Sequence, residues 1–262
     1  MRAKIARTIA NFIWHPRWIA FSIILAAWQV VAIRRNSRVI PQPARVWGEF
    51  WDLLSSFTFA DDLWASMVRI ALGFGVAFLV GTSVGILMGS RRTWNEFLHD
   101  LVVFGLALPG LVYALIAVML FGQALWAPVL AIVLTSYPFI AVNVREGIIA
   151  LDKNLLDMAK TYQITKRKQL LKIIIPSLLP FIFAGIRLGF SMSWKVNTLV
   201  EVFGSTNGVG WQIRASFDTY SVHGMLAWTL IFGGTMLLIE YRILTPAERY
   251  FSRWRPKIDG VI

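Results

Sequence analysis

The sequence predicts an all-α, polytopic membrane protein with six transmembrane helices and both termini in the cytoplasm. Three observations support this reading. Of the 262 residues, 57% are hydrophobic and 15% charged, with twelve Trp, whereas soluble domains average about 45–50% apolar and about 25% charged. Six apolar runs approach the roughly 20 residues that a helix needs to cross the hydrocarbon core. Lys and Arg are also divided very unequally between the two sets of connecting segments.

The first run, Trp18 to Ile33, is short, and Arg17 and Arg34 can snorkel outward from its ends. No small-residue cleavage site follows it, so it reads as an uncleaved span despite the basic start MRAKIAR. The second, Ala65 to Gly89, carries Gly81, Gly85 and Gly89 four apart, a small-residue stripe against which another helix can pack closely. Pro109-Gly110 interrupts the third, Phe97 to Phe121, and Pro138 interrupts the fourth, Leu125 to Val144. Such breaks survive in a bilayer where protein or a wet cavity satisfies the freed backbone groups. The fifth runs from about Ser177 to Phe203 and the sixth from His223 to Leu244.

With the N-terminus inside, eighteen Lys and Arg fall on the cytoplasmic side and five on the outer side. The inner set includes Arg2, Lys4 and Arg7, seven residues between Arg145 and Lys172, and five from Arg242 to Lys257. The net charge of +12 is thus accounted for by membrane topology and requires no nucleic acid. Absence of Cys excludes disulfides, thiol catalysis and thiolate metal sites. His15, His99 and His223 are scattered without ligand spacing, so no metal site is expected.

The fifth span holds Ser191, Trp194, Lys195, Asn197, Thr198 and Glu201 within SMSWKVNTLVE. At 3.6 residues per turn Trp194, Thr198 and Glu201 share a face. Lys195 and Glu201 lie about 120° apart, which disfavours a pair within one helix. The run reads either as the lining of a polar path, opposite Pro109 and Tyr113 of the broken span, or as helix–helix hydrogen bonds and ion pairs. Arg69, near the outer end of the second span, reads as structural.

Residues 145–186 form a basic inner loop. Asp152 is placed to cap a helix from Lys153, with Leu155, Met158, Ala159 and Tyr162 on one face. Thr165 is placed to cap a second helix, KRKQLLKII, which is expected to stop before Pro176. An apolar stripe on a helix outside the bilayer calls for a groove to fill.

The loop resembles the cytoplasmic signature of permease subunits of ATP-binding-cassette importers, E-A-A, three residues, G, nine residues, I-x-L-P. Here the pattern falls on Asp157, Met158 and Ala159, then Gln163, then Ile173, Ile175 and Pro176. Met158 replaces a small residue, which implies a helix slightly farther from its partner. Gln163 replaces a Gly expected to take a left-handed turn at a cost to other residues of roughly 1–2 kcal/mol, which implies a turn built differently. VIPQPARVWGEFWDLL, TLVEVFGSTNGVGWQI and RYFSRWR extend the likeness to the nitrate, sulfonate and taurine branch.

The resemblance implies a single permease domain over residues 1–262 with the type I importer fold, in the inner membrane. It implies a second permease chain, with a homodimer the usual arrangement, two ATPase subunits and an extracytoplasmic substrate-binding protein. Leu155, Asp157, Met158, Ala159, Lys160, Tyr162, Gln163 and Pro176 would couple to the ATPase. No G-x-x-x-x-G-K-[ST] phosphate loop occurs in the sequence, so ATP and Mg are expected on the partner, with no cofactor or enzymatic role here. Transport of a small anion (a sulfonate, nitrate or a carboxylate) by alternating access follows. The alternatives are an intramembrane enzyme or a simple channel.

Overall fold

A computed structural model describes residues 16–35, 40–251 and 253; the basic start and the distal tail, with Arg2, Lys4, Arg7, His15, Arg255 and Lys257, lie outside the described residues. Every regular element among them is helical: α1 (Pro16–Arg35), α2 (Pro43–Ser56), α3 (Ala60–Ser90), α4 (Arg92–Ala107), α5 (Gly110–Phe121), α6 (Trp126–Ile149), α7 (Lys153–Thr161), α8 (Lys166–Gly204), α9 (Val209–Asp218) and α10 (Val222–Phe251). Among the described residues α3, α6, α8 and α10 are long and apolar enough to cross a membrane. The pair α4–α5, bent by 94°, adds a fifth span if its arms traverse together, and the apolar part of α1, Ile19–Arg34, is shorter.

Backbone contacts divide the chain into two units. The smaller draws on the first 59 residues and Ile213–Ile231. Within it Pro43 opens α2 at a position where a missing N–H costs nothing, and the indole of Trp28 donates to Pro41 O at 3.0 Å.

The larger unit comprises Ala60–Gln212 and Phe232–Ile262. Its centre is α6, with 61% of its apolar stretch buried against 17% for α8. The glycine stripe of α3 seats directly on α6: a Cβ at Gly81 would lie 2.7 Å from Tyr137 O, and one at Gly85 2.6 Å from Ala141 O. Helix α8 joins them at Ile140, which meets Gly81 of α3 and also packs against Gly185 and Gly189 of α8.

Two expectations about proline are corrected. Helix α6 runs unbroken through Pro138. The basic segment from Lys166 does not stop before Pro176 but continues to Gly204 as one helix. The physical reason is a π-helical turn, Leu170–Ile174, where Ile175 N donates five residues back to Leu170 O. The wider turn relieves the clash that a proline ring makes with the carbonyl four residues earlier. Helix α10 repeats the device, with Thr245 N on Glu240 O immediately before Pro246.

Candidate functional site

The bend between α4 and α5 follows from one missing donor. In an uninterrupted helix Gly105 O would accept from the N–H of residue 109, but Pro109 has none. Tyr113, 6% exposed, supplies the replacement: its hydroxyl donates to Gly105 O at 3.1 Å. Gly110 lets the start of α5 lie against α8, since a Cβ there would sit 2.8 Å from Val196 Cγ2. Gly105 does the same toward α6, 2.9 Å from Pro138 Cγ.

Beside the bend is a cavity of about 330 Å³. Gly105, Leu106, Leu108, Gly110 and Leu111 wall it from the broken span, Thr135 and Phe139 from α6, and Met192, Lys195, Val196 and Leu199 from α8. Lys195 is exposed and makes no hydrogen bond or ion pair among the described residues. The Thr135 hydroxyl donates to Ala131 O at 2.8 Å. A cation without a carboxylate partner therefore faces a mostly hydrocarbon hollow within a spanning helix.

Glu201, two turns along the same helix, is placed differently. It is fully buried and its carboxylate accepts from Arg69 Nη1 at 2.8 Å, Ser66 Oγ at 2.8 Å, Asn197 Nδ2 at 2.8 Å and Gly210 N at 2.9 Å. Arg69 also donates to Asn207 O at 3.0 Å and to the Asn207 side chain. Asp62 closes the cluster by accepting from Gly208 N and Gln212 Nε2, both at 2.6 Å. Gly208, at φ 103, is required here, since a Cβ would meet Arg69 and Glu201 at 2.6 Å. The network ties the N-terminal end of α3 to the loop that starts α9.

The remaining polar residues of α8 are distributed between these environments. Trp194 is buried and stacks on Phe232 with ring centroids 4.2 Å apart. Asn197 is buried beside Glu201, Thr198 Oγ1 donates to Trp194 O at 3.1 Å, and Ser191 is half-buried. Of the residues singled out in the sequence, Lys195 lines the cavity at the bend formed by Pro109 and held by Tyr113, whereas Asn197 and Glu201 belong to the Arg69 cluster. Phe139 and Met192 carry no polar or helix-breaking signal, and Thr135 offers a hydroxyl that its own helix backbone can satisfy; all three escaped sequence reasoning. Asp62, Ser66 and Asn207 escaped it because their partners lie more than a hundred residues away along the chain.

The segment before α8 carries the second constellation. Asp152 caps α7 as expected, accepting from Asn154 N at 2.8 Å. Ala159 is fully buried within the chain, whereas Leu155, Met158 and Tyr162 are 42%, 47% and 76% exposed. Lys160 donates to Asp157 at 2.8 Å on the surface. Gln163 adopts φ 52 and so keeps the left-handed turn, correcting the expectation of a different one. Hydrogen bonds from Gln163 N to Lys160 O and Ile164 N to Ala159 O, both 2.9 Å, hold it there. Thr165 precedes α8 without a side-chain cap; Gln169 Nε2 instead reaches back to Ile164 O at 2.8 Å. Pro176, the last residue of the signature, lies just beyond the π turn inside α8.

Comparison with known proteins places these features in context. The bicarbonate transport system permease protein of Synechococcus elongatus is 29% identical over 79% of this chain and 70% of its own length. The nitrate import permease protein of Synechocystis is 23% identical over 95% of this chain and 97% of its own. A candidate aliphatic sulfonates transport permease protein of Bacillus subtilis is 27% identical over 94% and 90%. Among solved structures, an inward-facing form of the MetNI methionine ABC transporter superposes with a TM-score of 0.63 at 14% identity, covering 73% of this chain and 95% of that one. An amino acid ABC transporter chain gives 0.62 at 20% identity, covering 77% and 98%. These two likenesses establish the fold. Residues 77–247, well over half the chain, match the family described as "Binding-protein-dependent transport system inner membrane component", and the chain belongs to that family.

Proposed function

We propose that this multi-pass inner membrane subunit carries a small anion inward by alternating access, driven by ATP hydrolysed on separate ATPase subunits. In this reading two copies of the chain form the path, an extracytoplasmic binding protein delivers the substrate, and the chain itself performs no catalysis and holds neither ATP nor magnesium. The termini and α7 face the cytoplasm. The exposed stripe of Leu155, Met158 and Tyr162 offers an apolar ridge for the cleft of an ATPase partner. A simple channel has no use for such a ridge outside the bilayer. Relatives named for bicarbonate, nitrate and aliphatic sulfonates support an anion as cargo.

The observation that carries the anion assignment is Lys195, an unpaired cation on a membrane-spanning helix in the lining of the cavity beside the broken span. Ionisable groups at such depth face a cavity or a partner, and no described residue partners this one. The test is uptake by the complete transporter in reconstituted vesicles. Lys195→Gln should lower uptake while leaving assembly, ATPase activity and melting temperature unchanged, and Lys195→Arg should retain part of the flux. Normal uptake by Lys195→Gln removes the assignment.

A further inference from the structure

We infer that α2 is an in-plane membrane anchor, with Trp47 and Trp51 seated in the lipid headgroup layer at the membrane face where α10 begins. This interaction surface does not depend on what the transporter carries.

The α2 sequence, PARVWGEFWDLLSS, places three different edges around one helix. At about 100° per residue Val46 and Leu53 fall together, and Val46 is buried within the chain. Arg45, Asp52 and Ser56 make an exposed polar edge. Trp47 and Trp51, one turn apart, make the third; they are the largest apolar side chains of the helix, yet are 61% and 60% exposed. Trp47 rests on Phe50 of its own helix, with ring centroids 5.2 Å apart. Among the described residues neither indole N–H has an acceptor.

Two contacts fix the depth of α2. The hydrogen bond from Trp28 to Pro41 O brings the residues leading into α2 beside the apolar part of α1, about 9 Å from Arg34 toward the middle of that helix, six residues at about 1.5 Å each. Glu49 Oε2 lies 3.9 Å from His223 Nε2, in the first turn of the spanning helix α10. The helix is thus held level with the end of a span. An indole suits that layer, since its ring meets acyl chains while its N–H meets phosphate or ester oxygens. With indoles of up to about 250 Å² each, the uncovered area is about 300 Å², below the roughly 1,000 Å² of a specific protein interface. It therefore fits lipid better than a second copy or the binding protein. The helix stops on Phe57, held at φ 55, where glycine would be unstrained. That ring is 72% exposed, and the same layer covers it.

The experiment is site-directed spin labelling of this chain with its ATPase partner in lipid nanodiscs. The chain has no Cys, so Trp51→Cys and Asp52→Cys each give it a single nitroxide site, with the wild-type complex treated alike as the blank. Collision with oxygen, which dissolves in lipid, should dominate at residue 51, and collision with a water-soluble nickel chelate at residue 52. Residue 51 should lie about 5–10 Å into the headgroup and acyl boundary. Trp47→Cys, with Trp51 retained, should repeat the lipid result. Nickel access at 47 and 51 equal to that at 52 would show that α2 stands in water. Labels at 47 and 51 reached by neither reagent would show a protein surface over them, a second copy or the binding protein. Either result overturns the anchor.

Discussion

Replacing Arg69 by Met isolates the energetics of the Glu201 cluster. The Glu201 carboxylate is fully buried and accepts four hydrogen bonds, of which only the one from Arg69 brings a compensating charge. Removing one partner of a buried pair costs about 3–5 kcal/mol, because the remaining charge is uncompensated. Three neutral donors would still surround Glu201 in the variant, which places the expected loss near the low end, about 3 kcal/mol. The loss also includes the two contacts from Arg69 to Asn207. Adding Glu201→Gln should recover part of it by removing the orphaned charge, with a coupling of roughly 1–3 kcal/mol. The assay is a double-mutant cycle on unfolding midpoints in mixed micelles, read beside retention of a monodisperse peak after heating. An Arg69→Met midpoint equal to wild type, or strictly additive single variants, would show that the cluster does not pin α3 to the start of α9.

Three further perturbations probe the packing. Tyr113→Phe removes the hydroxyl that replaces the missing Pro109 N–H and should lower stability by about 1–3 kcal/mol in the same unfolding assay, the cost of an unsatisfied buried carbonyl. Gly85→Ala would place a Cβ 2.6 Å from Ala141 O and force α3 from α6, at about 1–3 kcal/mol and with reduced yield. Gly75→Ala, with nothing within 4 Å, is the neutral control, and equal yields of the two would refute the seating. Gln163→Gly should raise stability by up to about 1 kcal/mol, because the left-handed φ of 52 no longer strains a side chain; a loss would show that the Gln163 side chain contributes to the turn.

The local features followed from the sequence because their causes are local. Apolar length marked the four helices long enough to span, α3, α6, α8 and α10, spacing four apart marked the glycine stripe that seats on α6, and Pro109-Gly110 marked the bend, each determined by a few neighbouring residues. The cap at Asp152 is equally local, a carboxylate two residues before the N–H that it accepts from. The fold family was legible for a related reason, since the signature loop keeps its spacing even where identities change.

Helix continuity depended on tertiary structure. Proline's steric preference predicted an end before Pro176, but one wide turn absorbs the ring, and packing of α8 against α6 favours keeping the helix continuous. The roles of Lys195 and Glu201 were also undecided in sequence, where both stand in one polar run. Two turns of helix set one toward an open cavity and the other into a shell built by Ser66, Arg69 and Gly210. Whether a buried charge is compensated depends on what the fold brings within about 3 Å of it, and for Glu201 the one compensating charge, Arg69, lies 132 residues away along the chain.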